Sequence, residues 1–132
     1  MPLHIDRRGL PLLRLTYIGE YSDDELIRFL SELKAVLALP GSKACLIDLC
    51  EATAGSARQR KLQGEWIREH ESLLARDFVA AAIVTDSAVI RGTVTAVFWI
   101  RPLPMPTHVA PTLAAAEAWL APYLANLPAL KA

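Results

Sequence analysis

The sequence predicts an α/β fold, a mixed and mostly parallel sheet of about five strands covered by four helices in the order ββαβαβαβα. Three observations carry this. The runs Ala44-Cys45-Leu46-Ile47 and Phe78 to Thr85 are nearly continuous apolar sequence of strand length, as in strands buried on both faces. Longer stretches around them repeat apolar residues every three or four positions, the period of a helix packed on one side. Strands that alternate with helices need crossover connections, which make neighbouring strands parallel.

Each element has its own signal. Leu3 to Ile5 and Leu10 to Ile18 flank Asp6-Arg7-Arg8-Gly9, a polar connection ending in the residue that best tolerates positive φ, and predict an antiparallel hairpin. In its second strand Leu13, Leu15 and Tyr17 share one face, Arg14 and Thr16 the other. Ser22 and Glu25 form an S-x-x-E capping box that starts a helix over Asp23 to Leu39. Leu26, Phe29, Leu30, Leu33 and Leu37 make its apolar stripe, and Pro40-Gly41 ends it. A central strand follows over Lys43 to Leu49. After Thr53-Ala54-Gly55-Ser56, a second helix over Ala57 to Arg76 sets Leu62, Trp66, His70, Leu73 and Leu74 on one stripe. Gly64 inside it costs about 1 kcal/mol against alanine, which points to a close backbone approach there.

Phe78 to Thr85 is the next buried strand, and Asp86-Ser87 caps a third helix over Ala88 to Ile100 that stops before Pro102. Thr107 to Ala110 is a short strand. The last helix, Leu113 to Leu120, begins after Pro111-Thr112, and Pro122 is expected to end it. The domain is expected over residues 1–126, with 127–132 as a tail.

With 132 residues, 53% of them hydrophobic, the chain supports one core and is short for two. Fourteen Lys and Arg balance fourteen Asp and Glu, so no net positive field exists to hold a phosphate backbone, and nucleic-acid binding is not expected. The longest apolar stretches, Phe78 to Val84 and Val94 to Ile100, fall far short of the roughly 20 residues that cross a bilayer. Charges in Met1 to Arg8 stand where a signal peptide needs an apolar core, so a cytoplasmic location is expected. Cys45 and Cys50, five residues apart in one strand, point to opposite faces and cannot bridge; both read as small buried hydrophobes. No metal-ligand spacing, G-x-S-x-G elbow, G-x-G-x-x-G or P-loop is present, so neither a metal nor another cofactor is expected.

With this order of elements the chain resembles the SpoIIAA-like or STAS-type domains of anti-sigma-factor antagonists and related bacterial regulatory modules. The resemblance rests on the opening hairpin, on Leu46-Ile47-Asp48-Leu49 followed by a loop and helix, on Ala82-Ile83-Val84-Thr85-Asp86, and on the closing helix with Ala116-Glu117-Ala118-Trp119-Leu120. It implies the fold across nearly the whole chain and a regulatory, protein-binding role. The antagonists carry Asp-Ser-Ser-Gly at the start of the second helix, where a kinase modifies a serine. Counted from Asp48, that serine corresponds here to Ala57, and only a shift of one residue makes Ser56 the acceptor. The chain is more similar to a branch that lacks this serine and is compared with CRAL-TRIO lipid-binding domains, which implies an apolar ligand.

Other candidate positions come from the residues themselves. Asp48 and Asp86 stand at the ends of two parallel strands, where open α/β sheets present binding groups; the bland alternative is that they cap helices and close turns. On the wheel of the third helix Ile90, Val94 and Val97 form one side, while Arg91, Gly92, Thr95 and Trp99 gather on the other. Trp99 therefore faces outward unless the end of the chain packs over it. Together with Arg101 and Met105 of the following Pro-rich segment, Arg91, Thr95 and Trp99 are the candidate residues for binding a partner or ligand. His70 reads as a histidine at the edge of the core, satisfied by a backbone carbonyl.

Three readings follow. The first is a non-enzymatic regulatory domain that binds itself, as a homodimer, or another regulatory protein through the third helix and the Pro-rich segment. The second is a carrier or sensor of a small apolar ligand, held between the third helix, the last helix and the sheet. The third is an enzyme using Asp48 and Asp86.

Overall fold

Five strands form one sheet in chain order: β1 (Leu3–Asp6), β2 (Leu12–Gly19), β3 (Lys43–Ala52), β4 (Phe78–Val84) and β5 (Thr107–Ala110). β1 pairs antiparallel with β2, and every later pair is parallel. The computed structural model describes residues 2–127; of the expected tail, 128–132 lie outside the described residues. The intervening helices are α1 (Asp23–Leu37), α2 (Ala57–Glu69), α3 (Glu71–Asp77), α4 (Ala88–Ile100) and α5 (Leu113–Ala125).

Because the strand order never reverses, crossovers of one hand lay α1, α2, α3 and α4 on the same face of the sheet. Leu13, Leu15, Cys45 and Ala81 of the strands meet Leu26, Phe29, Leu33, Ile67, Leu74 and Val97 of these helices there. α5, after the last strand, covers the opposite face. It sits on Ala44, Leu46, Ala80, Ala82, Val84 and Ala110, all 0–1% exposed, and these mostly small side chains let Ala116 and Leu120 pack close to the sheet. An irregularity at Lys43/Ala44 places one extra residue in β4, so that Val79 and Ala80 both belong to the α5 side.

The expected capping box at Ser22 is formed, and α2 has a second one at Ser56. Ser22 Oγ accepts from Glu25 N at 3.1 Å and Glu25 Oε1 from Ser22 N at 3.0 Å; Ser56 and Gln59 repeat the pair at 3.0 and 3.1 Å.

The structure corrects three expectations. The helix expected over Ala57 to Arg76 is two helices, making five in all rather than four. The break falls at His70, whose φ of −108° and ψ of 13° leave the helical region. Its Nδ1 donates to the Trp66 carbonyl at 2.8 Å and its ring stacks on Trp66 at 4.3 Å, so the local bond takes over where the helix stops. The last helix runs through Pro122 to Ala125. The bond that proline forfeits is to the carbonyl of Ala118, an exposed residue whose carbonyl water can satisfy. Cys45 is buried, but Cys50 is exposed. β4 ends opposite Asp48, and beyond that point β3 pairs only with β2, so Cys50 lies past the cover that the sheet centre provides.

Candidate functional site

The main feature of the helix-covered face is an apolar cavity of about 140 Å³ between α1, α2, α4 and the sheet. Leu13, Leu15 and Tyr17 line it from β2, as their alternation required, and Cys45, Ile47 and Leu49 continue the wall on β3. Leu33, Trp66, Val94 and Val97 close it from the helices, and Leu103 and Met105 from the segment before β5. Thr53, itself exposed, stands at its edge.

The cavity's cover depends on a helix crossing. α4 approaches α2 more closely than it approaches any strand. Gly64 of α2 is the contact point, since a Cβ placed there would stand 2.6 Å from Cβ of Ile100. The close approach expected from this glycine is therefore a helix-on-helix contact. Arg101 just past α4 is tied to Glu71 of α3 by a side-chain hydrogen bond, which holds the Glu71 carboxyl below its ordinary range.

Most of the cavity wall is hydrocarbon; the Thr53 and Thr93 hydroxyls in it donate to the Gly19 and Val89 carbonyls, and the main polar corner lies at Tyr17. Tyr17 Oη donates to Gln63 Oε1 at 3.0 Å, and the Tyr21 ring lies edge-on to Tyr17 with centroids 6.0 Å apart. Burial pushes the Tyr17 phenol far above its usual value, so it stays a neutral donor. Burial likewise pushes the Cys45 thiol up to about 12, which makes it a wall of the cavity and not a nucleophile at neutral pH.

The candidate residues divide into three groups. Arg91, Thr95 and Trp99 share the outer face of α4, as the wheel placed them, and Trp99 is 84% exposed with nothing among the described residues covering it. Met105 is separated from them: it is buried and lines the cavity. Arg101 is half-buried at the junction with Glu71. Ser56 is exposed, and its hydroxyl is engaged in the α2 cap.

Asp48 and Asp86 lie in one neighbourhood beside Cys50. Partial desolvation of the thiol within this otherwise exposed residue, then the carboxylates of Asp48, Asp86 and Glu51, push it up to about 11. Asp48 Oδ1 accepts from Cys50 N at 3.0 Å within β3, at the irregularity in its pairing with β2, and Asp86 is exposed just ahead of the α4 cap. The switch-point crevice in which open α/β sheets hold ligands requires a reversal of strand order, which this sheet lacks. No group of three or more His, Cys, Asp or Glu able to hold a metal occurs among the described residues.

The ligand space expected between the third helix, the last helix and the sheet is corrected: α4 and α5 lie on opposite faces, and the cavity belongs to α1, α2 and α4. Tyr21, Gln63 and Trp66 are cavity residues that the sequence did not single out as a site. Trp66 stood on the inward stripe, whereas Gln63 is a polar residue in a helix and gives no periodic signal. No described helix is long and apolar enough to cross a membrane.

Comparison with known proteins agrees with this architecture. No curated protein matches the chain significantly. The crystal structure of an uncharacterised DUF3478-family protein with a SpoIIAA-like fold, from Shewanella loihica PV-4, superposes with a TM-score of 0.65 at 17% identity, covering 89% of this chain and 91% of that one. A model of the SpoIIAA-like family matches residues 12–121, which span β2 through most of α5 and include the whole cavity wall. The chain belongs to the SpoIIAA-like family.

Proposed function

We propose that this protein is a binding domain for a small apolar molecule, acting as a carrier or sensor and not as a catalyst. The observation that carries the reading is the cavity of about 140 Å³, whose lining contains no Asp, Glu, Lys, Arg or His. An engineered apolar cavity of roughly 150 Å³ stays dry and takes up benzene, so this space has the size and chemistry for a comparable occupant. The space is partly open to solvent, and a largely hydrocarbon wall around such an opening is the character of a small-molecule pocket.

Toluene is the first probe. Added in excess, it is expected to raise the melting temperature by mass action and to alter the emission of Trp66, which lines the cavity. Ala81→Leu, which puts a larger side chain into the same space from β4, is expected to abolish both effects while the protein stays folded. An unchanged melting temperature at saturating toluene would count against the proposal.

A second reading, the regulatory or self-associating domain, is favoured by a separate observation. Trp99 stands 84% exposed beside Arg91 and Thr95 on α4, and tryptophan and arginine are the residues most enriched in binding hot spots. On this reading the contact is with a second copy of the chain. Trp99→Ala is then expected to weaken dimerisation by more than about 1 kcal/mol, or about fivefold in Kd, measured by sedimentation. The same dimer constant in both proteins would remove it.

A further inference from the structure

We infer that the occupant of the cavity is a neutral molecule about the size of one aromatic ring, carrying one hydrogen-bonding group that Gln63 receives. This rests on the cavity reading above and names the ligand class for it.

Size comes from the volume of about 140 Å³ within the walls of this partly open space, which encloses one ring. Neutrality comes from the lining. A carboxylate or ammonium brought into this space would leave water and meet no opposite charge, a transfer far more unfavourable than that of a hydroxyl or carbonyl that finds a partner.

The single polar group follows from the corner formed by Tyr17 of β2, Tyr21 of the segment before α1, and Gln63 of α2. A glutamine side chain has two N–H donors and a carbonyl oxygen with two lone pairs. Tyr17 occupies one lone pair at 3.0 Å, and Tyr21 lines the same part of the cavity. Donor and acceptor capacity beyond these two neighbours remains on Gln63, so it can serve a hydroxyl in both senses or a carbonyl as donor. One turn further along α2, Trp66 also lines the cavity and can meet the apolar body of the ligand. A purely hydrocarbon ligand would make no use of this corner, and a molecule with several polar groups would find only the Thr53 and Thr93 hydroxyls besides it, each already donating to a backbone carbonyl.

The test compares three probes of similar size on the full chain at pH 7 by calorimetry: toluene, phenol and benzoate. Phenol is expected to bind at least as tightly as toluene, although it surrenders hydrogen bonds to water, and benzoate at least 100-fold more weakly. In Gln63→Leu, phenol is expected to lose about tenfold relative to toluene, while toluene keeps or gains affinity. Phenol tenfold or more weaker than toluene on the unmodified protein, or an unchanged phenol-to-toluene ratio in Gln63→Leu, overturns the ligand class and leaves the cavity reading standing. Absence of toluene binding overturns both. If Gln63→Leu does not fold, the ranking of the three probes on the unmodified protein decides alone.

Discussion

Replacing Lys43 by methionine is expected to destabilise the protein by about 2–4 kcal/mol. Lys43 is 0% exposed at the start of β3. Its ammonium donates to the carbonyls of Leu39 at 2.6 Å and Gly41 at 2.9 Å, just after α1, and stands 6.0 Å from the Phe78 ring centroid. Burial holds its pKa below the ordinary lysine value, while Asp77 nearby opposes that shift. Methionine keeps much of the apolar stem but leaves two carbonyls without this donor. Each bond to a charged donor is worth roughly 1.5–3 kcal/mol, and the relief of a desolvated charge offsets part of the sum. Urea unfolding checks this, with Lys34→Met on the exposed face of α1 as a control expected to stay within about 0.5 kcal/mol. A Lys43→Met midpoint equal to the control's would show that the carbonyls find other partners.

Gly64→Ala is expected to separate α4 from α2, with a loss of about 1–3 kcal/mol against a helix-propensity gain of about 1. The added Cβ would stand 2.6 Å from Cβ of Ile100 and 2.7 Å from its Cγ2. The first of these is fixed to the α4 backbone, so a rotamer change cannot relieve the contact. Because α4 closes the cavity, the variant is expected to bind toluene more weakly as well as melt earlier. Ile100→Ala in the same chain removes the obstructing atoms beyond Cβ and is expected to restore part of both. If Gly64→Ala melts at or above the wild-type temperature with toluene affinity intact, the crossing does not control the cover of the cavity.

These two residues show where sequence reasoning reached and where it stopped. Gly64 was legible as a close approach because glycine inside a helix is unfavourable and needs a reason. Its partner was not, since Ile100 lies in another helix. Lys43 gave no signal at all: lysine is almost never fully buried, and although its acceptors Leu39 and Gly41 lie within four residues in the chain, only the pairing of β4 beside β3 brings Phe78 against it. The breaks were misjudged in both directions for a shared reason. His70 ends a helix with a side-chain bond and stacking contact that periodicity does not register, and Pro122 continues one because the lost bond falls on the solvent side.

What the sequence by itself determined was the order and kind of elements, and the inward face of each. Leu13, Leu15 and Tyr17 alternate, Leu26 to Leu37 recur at helical spacing, and Ser22 and Ser56 cap, all through interactions among residues close in the chain. The exposure of Arg91, Thr95 and Trp99 followed from the same local geometry. Only the tertiary structure decided which helices share a face of the sheet, and therefore that Asp48 and Asp86 border no switch-point crevice and that α5 has no part in the cavity. It alone decided that Tyr17, Tyr21 and Gln63 meet. A cavity is packing left incomplete between layers; its position depends on how far helices stand from the sheet, and that distance is set by contacts such as Gly64 against Ile100 between residues remote in sequence.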